Sequence, residues 1–198
     1  MKRSIHKTIL AVTLLIVFSG CAFADAVISV QPVSTTIASG GTATLDVDIS
    51  GVSDLYGFQF DVLFGAATVS ATSETEGSFL ATGGSTFFIP GTIDNIGGSV
   101  TDTANTLIGA ISGVNGGGAL AVLDFTGLAP GTTSVDLANV TLLDSDFDSI
   151  PFATRDASVT VQSSAGGVPE PSGLLLLGLG LVVLIGVGWR KSATCHTV

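Results

Sequence analysis

The central part of this chain is predicted to be an all-β sandwich, on three observations. Apolar and polar residues alternate with a period of two in several short runs. Glycine-rich turns separate those runs. Between the two ends of the chain no stretch holds a helical period beyond a turn or two, near Glu76–Leu80.

In chain order, Thr42–Ile49 places Ala43, Leu45, Val47 and Ile49 on one face, against Thr42, Thr44, Asp46 and Asp48 on the other. That is a half-buried strand. Gly57–Phe64 does the same with Phe58, Phe60, Val62 and Phe64 inward and Gln59, Asp61 and Leu63 outward. Thr106–Ile111, Ser134–Leu143 and Ala157–Val161 are further strand candidates. Ala119–Phe125 puts Ala119, Ala121, Leu123 and Phe125 on the inner face. Its other face carries Leu120 and Val122, which read either as an exposed patch or as the inner face of a bulged strand. Turns fall at Ser39-Gly40-Gly41, Gly83-Gly84, Gly97-Gly98, Gly116-Gly117-Gly118 and Pro130-Gly131. The strand-facing Phe, Val, Leu and Ile suffice for one core in a chain of 198 residues.

Both ends are greasy for reasons unrelated to that core. Lys2, Arg3 and Lys7 precede the apolar run Ile9–Phe18, and Ala22-Phe23-Ala24 has the small-x-small form of a cleavage site. Residues 1–24 therefore read as a signal peptide removed by signal peptidase after Ala24. A competing export reading is lipidation at Cys21, although Phe18 stands where such signals usually have Leu. At the other end Pro169-Glu170-Pro171 precedes Gly173–Trp189, in which every residue is apolar or Gly, followed by Arg190 and Lys191. This segment approaches the roughly 20 residues that span a bilayer. Trp189 suits the interface, and the basic pair would hold that end in the cytoplasm. The organisation expected is a signal peptide (1–24), a sandwich (25–163), a linker (164–168), a C-terminal signal (169–192) with a transmembrane helix at 173–189, and a short tail (193–198).

Between these ends, residues 25–168 contain no Cys, His, Lys, Trp or Met. Cys21, Cys195, His6 and His196 all lie in the end segments, so no disulfide framework is available to the domain. Of the sixteen acidic residues of the chain only Glu170 lies outside this region, which leaves fifteen acids against one base, Arg155. Such a surface repels nucleic acid and anionic membranes. Nucleophilic Ser or Cys chemistry lacks its His base, and a zinc site lacks its usual ligands. Two-carboxylate glycoside hydrolysis is the one enzymatic chemistry the composition permits. Its candidates, Asp46, Asp48, Asp61 and Asp124, occupy positions that alternation sends to solvent. A non-enzymatic domain with no catalytic residues is the expectation.

Two resemblances follow from these residues. Pro169-Glu170-Pro171, the apolar helix and the basic pair resemble the PEP-CTERM sorting signal of Gram-negative bacteria, with a tail longer and less basic than usual. The resemblance implies recognition by an exosortase, transient anchoring in the inner membrane, and cleavage near Pro-Glu-Pro. The domain would then be delivered to the cell surface or to the extracellular, exopolysaccharide-rich biofilm matrix. The second runs from Ile28 to Val161. "SGGTATLDVDISGVSDLYGFQFDVLF", "GGGALAVLDFTGLAPGTTSVDL" and "LLDSDFDSIPFATRDASVTV" resemble pieces of a cohesin-like domain, a nine-stranded jelly-roll β-sandwich related to some carbohydrate-binding modules. What this implies is either adhesion to a protein partner or matrix, or polysaccharide binding. On the protein-binding reading the third strand would present Gln59, Asp61 and Leu63 outward. On the sugar-binding reading the domain offers Tyr56 alone as a stacking ring.

Asp144, Asp146 and Asp148 form a DxDxD run, which suits a hard cation such as calcium. Counted as an EF-hand loop from Asp144, the run has Ser149 where Gly is needed and Arg155 where a bidentate Glu is needed. The expectation is a solvated acidic turn with no cofactor and no metal.

Overall fold

The computed structural model describes residues 26–164. The expected signal peptide with Cys21, Ala22 and Ala24, and the segment carrying Pro169, Glu170, Pro171, Trp189, Arg190 and Lys191, lie outside the described residues. Among the described residues no helix is long and apolar enough to cross a membrane.

Twelve strands form two sheets. In chain order they are β1 (Ala26–Gln31), β2 (Ser34–Ala38), β3 (Thr42–Leu55), β4 (Gly57–Phe64), β5 (Val69–Glu76) and β6 (Thr86–Ile89). They continue as β7 (Thr92–Asp94), β8 (Ser99–Leu107), β9 (Val114–Gly127), β10 (Gly131–Leu143), β11 (Phe152–Arg155) and β12 (Ala157–Gln162). One sheet has the order β11-β1-β3-β9-β5; the other has the order β2-β12-β10-β4-β8-β6, with β7 also paired to β8. Three breaks divide runs that are otherwise continuous: Pro32-Val33 between β1 and β2, Pro90-Gly91 between β6 and β7, and Asp156 between β11 and β12. Joined across these breaks, the twelve strands are nine runs of chain, as the sandwich of the sequence analysis requires. The first and last runs each change sheet at their break, and they lie side by side in parallel in both sheets. The only helical turn among the described residues is a 3₁₀ segment at Leu80–Thr82, close to the place where helical period was expected.

The core fills the space between the sheets. Ile28, Leu45, Val47, Phe60, Val62, Leu123, Phe125, Leu142 and Val159 are all buried. Phe64 meets Phe125 edge-on with ring centroids 5.2 Å apart, and Phe58 stacks on Phe60 at 5.7 Å. Burying side chains of this size contributes about 1.5–3 kcal/mol each, which is why the alternating runs end up facing inward.

Three details depart from simple alternation. On β9, Val47 pairs with Ala121 and Asp48 with Ala119, so Leu120 is an extra residue at a bulge. Leu120 is fully buried there, Ala119 is displaced to a half-buried position, and Val122 is half-buried as well. The strand expected at Thr106–Ile111 runs instead over Ser99–Leu107, and Ile108 and Ile111 lie exposed in the loop beyond it. Its inner face carries Thr103 and Asn105, both buried, between Val100 and Leu107, so half of that face is polar. On β5, a register shift between Ala71 and Ser73 exchanges faces. Ser73 then reaches the outer-face residue Asp124, while Glu74 and Glu76 are directed toward the other sheet.

Candidate functional site

Strand β4 runs through the middle of the larger sheet, between β10 and β8. Its outward residues are not equivalent. Gln59 is exposed, and Leu63 is 42% exposed. Asp61, expected in solvent, is buried at 8% exposure. The reason is a pair of bulges, one on each neighbouring strand. The β8 register shifts between Phe60 and Val62, and the β10 register shifts between Ala138 and Thr141. Each irregular stretch holds a non-glycine residue in the left-handed region, Asp102 at φ 64° and Asn139 at φ 49°. Both turn onto Asp61: the Asp102 backbone N–H donates to Oδ1 at 2.8 Å, and Asn139 Nδ2 donates to Oδ2 at 2.6 Å. The carboxylate at the centre of this face is therefore spent inside the fold, as the tie between two bulges.

Beside it lies an apolar groove of about 220 Å³, lined by Phe87, Ile89, Gln59, Ala104, Thr141 and Phe147 among others. Phe87 is 59% exposed, Ile89 46% and Phe147 67%. The volume falls below the roughly 300–1,000 Å³ of small-molecule pockets and suits one or two protein side chains. Tyr56 closes one end. Its ring packs edge-on against Phe147 at 5.5 Å, and its hydroxyl donates to the Gly109 carbonyl at 2.6 Å. With 9% exposure, Tyr56 has no free face to offer a sugar ring. A second depression, of about 500 Å³, lies on the other side of this aromatic pair, against Ile111, Ser112 and Ser145.

The DxDxD loop adjoins the groove through Phe147. Asp144 Oδ1 accepts the backbone N–H groups of Asp146 at 3.0 Å and Asp148 at 2.8 Å, which closes the loop on itself. Asp54 holds it from below: its Oδ2 accepts the Ser145 hydroxyl at 2.6 Å, and its Oδ1 accepts the Gly113 N–H at 2.6 Å. The Ser145 hydroxyl, followed by the Gly113 N–H, holds the Asp54 carboxyl below its ordinary range. Asp146 and Asp148 are exposed. Among the described residues no group of three or more His, Cys, Asp or Glu side chains is placed to hold a metal ion.

The remaining acidic candidates share the outer face of the smaller sheet. Asp124 accepts the hydroxyls of Thr44 at 2.6 Å and Ser73 at 2.8 Å, in that order the causes that lower its pKa. Asp48 is raised, first by partial burial and then by the neighbouring charge of Asp46. Sequence reasoning did not single out two further carboxylates, Glu74 and Glu76. Burial raises Glu74 against the opposing pull of its bonds to Gly91 and Thr103. The signal that marks them is their place on a strand whose period shifts at a bulge.

The fold is that of the cohesins, modules defined by a two-sheet jelly roll. A non-cellulosomal cohesin from the hyperthermophilic archaeon Archaeoglobus fulgidus superposes with a TM-score of 0.58 at 15% identity, over 72% of this chain and 94% of that one. A type II cohesin domain from the cellulosome of Acetivibrio cellulolyticus gives 0.58 at 16% identity, over 68% and 95%. The sixth cohesin of scaffoldin B from Acetivibrio cellulolyticus, solved in complex with a dockerin, gives 0.55 at 16%, over 70% and 99%. More particularly, residues 167–192 match the PEP-CTERM protein-sorting motif. No curated protein matches the sequence.

Proposed function

We propose that this chain is an exosortase-sorted surface protein whose cohesin-like domain is a non-enzymatic adhesion module, binding a protein partner or matrix through the outer face of β10-β4-β8-β6. The observation that carries the docking face is the exposed apolar set of Phe87, Ile89 and Phe147 lining the groove, with exposed Leu63 farther along β4, on a domain with fifteen acids and one base. Apolar residues gathered on one face mark an interaction surface, whereas single ones need no explanation. The likeness to a cohesin solved with a dockerin supports a protein partner. The burial of Tyr56 weighs against the polysaccharide reading, because stacking needs a free ring face.

The processing route rests on the sorting motif. Signal peptidase cuts after Ala24, the 173–189 segment pauses in the inner membrane with Arg190 and Lys191 inside, and exosortase releases the domain near Pro169-Glu170-Pro171. Replacing Glu170 with Ala should leave export intact and trap an uncleaved chain in the inner membrane. A wild-type chain found at the surface with Trp189 still attached would sink the sorting reading.

Docking is tested in the native bacterium with a photo-crosslinking residue at position 87 and, as control, at position 46 on the opposite outer face. A discrete protein adduct from position 87 alone is expected, lost in a chain that also carries Ile89→Asp. Retention of the purified chain on exopolysaccharide that survives Ile89→Asp, with no adduct at 87, would favour the carbohydrate-binding reading instead.

A further inference from the structure

The ridge that carries Phe87 and Ile89 belongs to one sheet, but its fastenings come from the other. We infer that Glu74 and Glu76 are positioning residues of the docking face, acting as a clasp that reaches from β5 across the gap between the sheets. Glu76 Oε1 accepts the Thr86 hydroxyl at 2.5 Å and Asn105 Nδ2 at 2.9 Å. Glu74 Oε2 accepts the backbone N–H of Gly91 at 2.5 Å, and its Oε1 accepts the Thr103 hydroxyl at 2.8 Å. Thr86 and Gly91 stand at the two ends of the segment whose outward residues are Phe87 and Ile89, so each end is tied by one carboxylate. Thr103 and Asn105 lie on β8, the only strand that pairs β6 and β7. The clasp therefore fixes the ridge and its supporting strand together.

The segment needs such a clasp. β6 has four residues and β7 three, they sit at the edge of the sheet, and Pro90 between them has no N–H for a ladder. Its inward apolar side chains are Phe88 on β6 and Ile93 on β7, each only partly buried. Hydrophobic anchoring is thus limited on this edge, and the four hydrogen bonds of the clasp add to it. The middle of the inward face of β8 is polar for the same reason: Thr103 and Asn105, 0% and 3% exposed, supply donors to Glu74 and Glu76.

What the clasp needs from these side chains is acceptor oxygens rather than charge. An amide can turn its one oxygen to the Gly91 N–H and its NH₂ to the Thr103 hydroxyl, which can accept as well as donate. Burial already disfavours the ionised form of Glu74, so the neutral isostere is compatible with the site.

The inference rests on reading this face as the docking face, but its test does not need a partner. Backbone hydrogen exchange in the full chain is followed by mass spectrometry for residues 86–91 and, as reference, for the central strands β3 and β9. Glu74→Ala with Glu76→Ala should speed exchange at 86–91 by about tenfold or more, the scale of losing one or more net hydrogen bonds, with β3 and β9 unchanged. Glu74→Gln with Glu76→Gln should restore protection to near the wild-type rate, whereas Glu74→Met with Glu76→Met, which fills the space without an acceptor oxygen, should not. If the alanine pair unfolds the domain, Thr86→Val, which removes one donor and keeps the shape, should speed exchange at the Thr86 end alone. Unchanged exchange at 86–91 in a folded alanine pair, or in Thr86→Val where the alanine pair unfolds, would overturn the clasp. A failure of crosslinking at position 87 with the clasp intact would count against the docking face and not against the clasp.

Discussion

The two outer faces of the sandwich obey the same alternation and end in opposite chemistry. On the smaller sheet, the outward positions of β3, β9 and β5 hold Thr44, Asp46, Asp48, Asp124 and Ser73, and the hydroxyls are turned onto Asp124. On the larger sheet, the outward positions of β4, β6 and the β10–β11 loop hold Leu63, Phe87, Ile89 and Phe147, and the one central carboxylate, Asp61, is consumed by the bulges beside it. A period of two says which residues point away from the core, but not whether they meet water or a partner. That difference lies in which donors surround each carboxylate and which apolar side chains are left uncovered.

The largest test breaks the layer that separates the faces. Phe60→Ala should cost roughly 3–5 kcal/mol, because Phe60 is fully buried between the sheets. Gln59→Ala, one residue away on the groove side, should change stability by less than about 0.5 kcal/mol. Chemical denaturation of the two variants decides it; equal losses would mean that β4 does not alternate as described.

Next in size is a comparison of two carboxylates, one from each face. Asp61→Ala should cost about 1–3 kcal/mol, because it strips the Asp102 N–H of its acceptor beneath the bulge. Asp124→Ala, whose donors can turn to solvent, should stay within about 0.5 kcal/mol. Similar losses at both positions would erase the distinction between a structural and a solvated carboxylate.

Acid sharpens the comparison further, because the shifts have opposite signs. Burial holds the pKa of Glu74 above its ordinary 4.5, so the folded state binds that proton first and stability rises as pH falls toward 4.5. The hydroxyls of Thr44 and Ser73 hold Asp124 below 3.8, so its contribution is present above 3.8 and is lost as pH falls through the folded value. Thermal melts across this range should pass through a maximum, and Glu74→Gln should flatten the rise on the neutral side. A rise unaffected by Glu74→Gln would assign it to the general relief of charge repulsion. That relief should itself appear as stabilisation by NaCl at neutral pH, through screening over about 8 Å at physiological ionic strength.

The smallest effect is expected at the acidic loop. Calcium should stabilise the chain no more than magnesium at equal ionic strength, with or without Asp146→Ala, because the Asp144 carboxylate is already closed on its own loop. A calcium-selective rise of many degrees that Asp146→Ala removes would make the loop a metal site.

The sandwich was legible at most strands with apolar inward residues, although β1, with Ile28 and Val30 buried, was not singled out. β3, β4, β9, β10 and β12 announce themselves through Leu45, Phe60, Leu123, Val135 and Val159. β8 was displaced along the sequence because its buried Thr103 and Asn105 look like surface, and β5 was passed over because Glu74 and Glu76 look like surface too. Thr103 donates to Glu74 and Asn105 Nδ2 to Glu76 across the sheets, with the buried Asn105 Oδ1 left without a partner, and a pairing between strands so far apart leaves no local trace. Asp61 was placed on the correct side and given the wrong environment, since the bulges that cover it belong to β8 and β10. The only local sign is an Asn at 139, a residue type that tolerates the left-handed backbone found there.

The parallel pairing of the first run with the last has a consequence in time. Ala26 is matched to Phe152 in one sheet and Ser34 to Ser158 in the other, so neither sheet is complete until the final strands arrive. Pairings this distant in sequence form late, because the chain between them must be ordered before they are rewarded. In a chain emerging amino-terminus first, β1 can pair with β3 early, but β2, whose one strand partner is β12, waits until nearly all of the domain has been made. The fold thus carries its own delay: both sheets stay open at that edge until the last two strands are made.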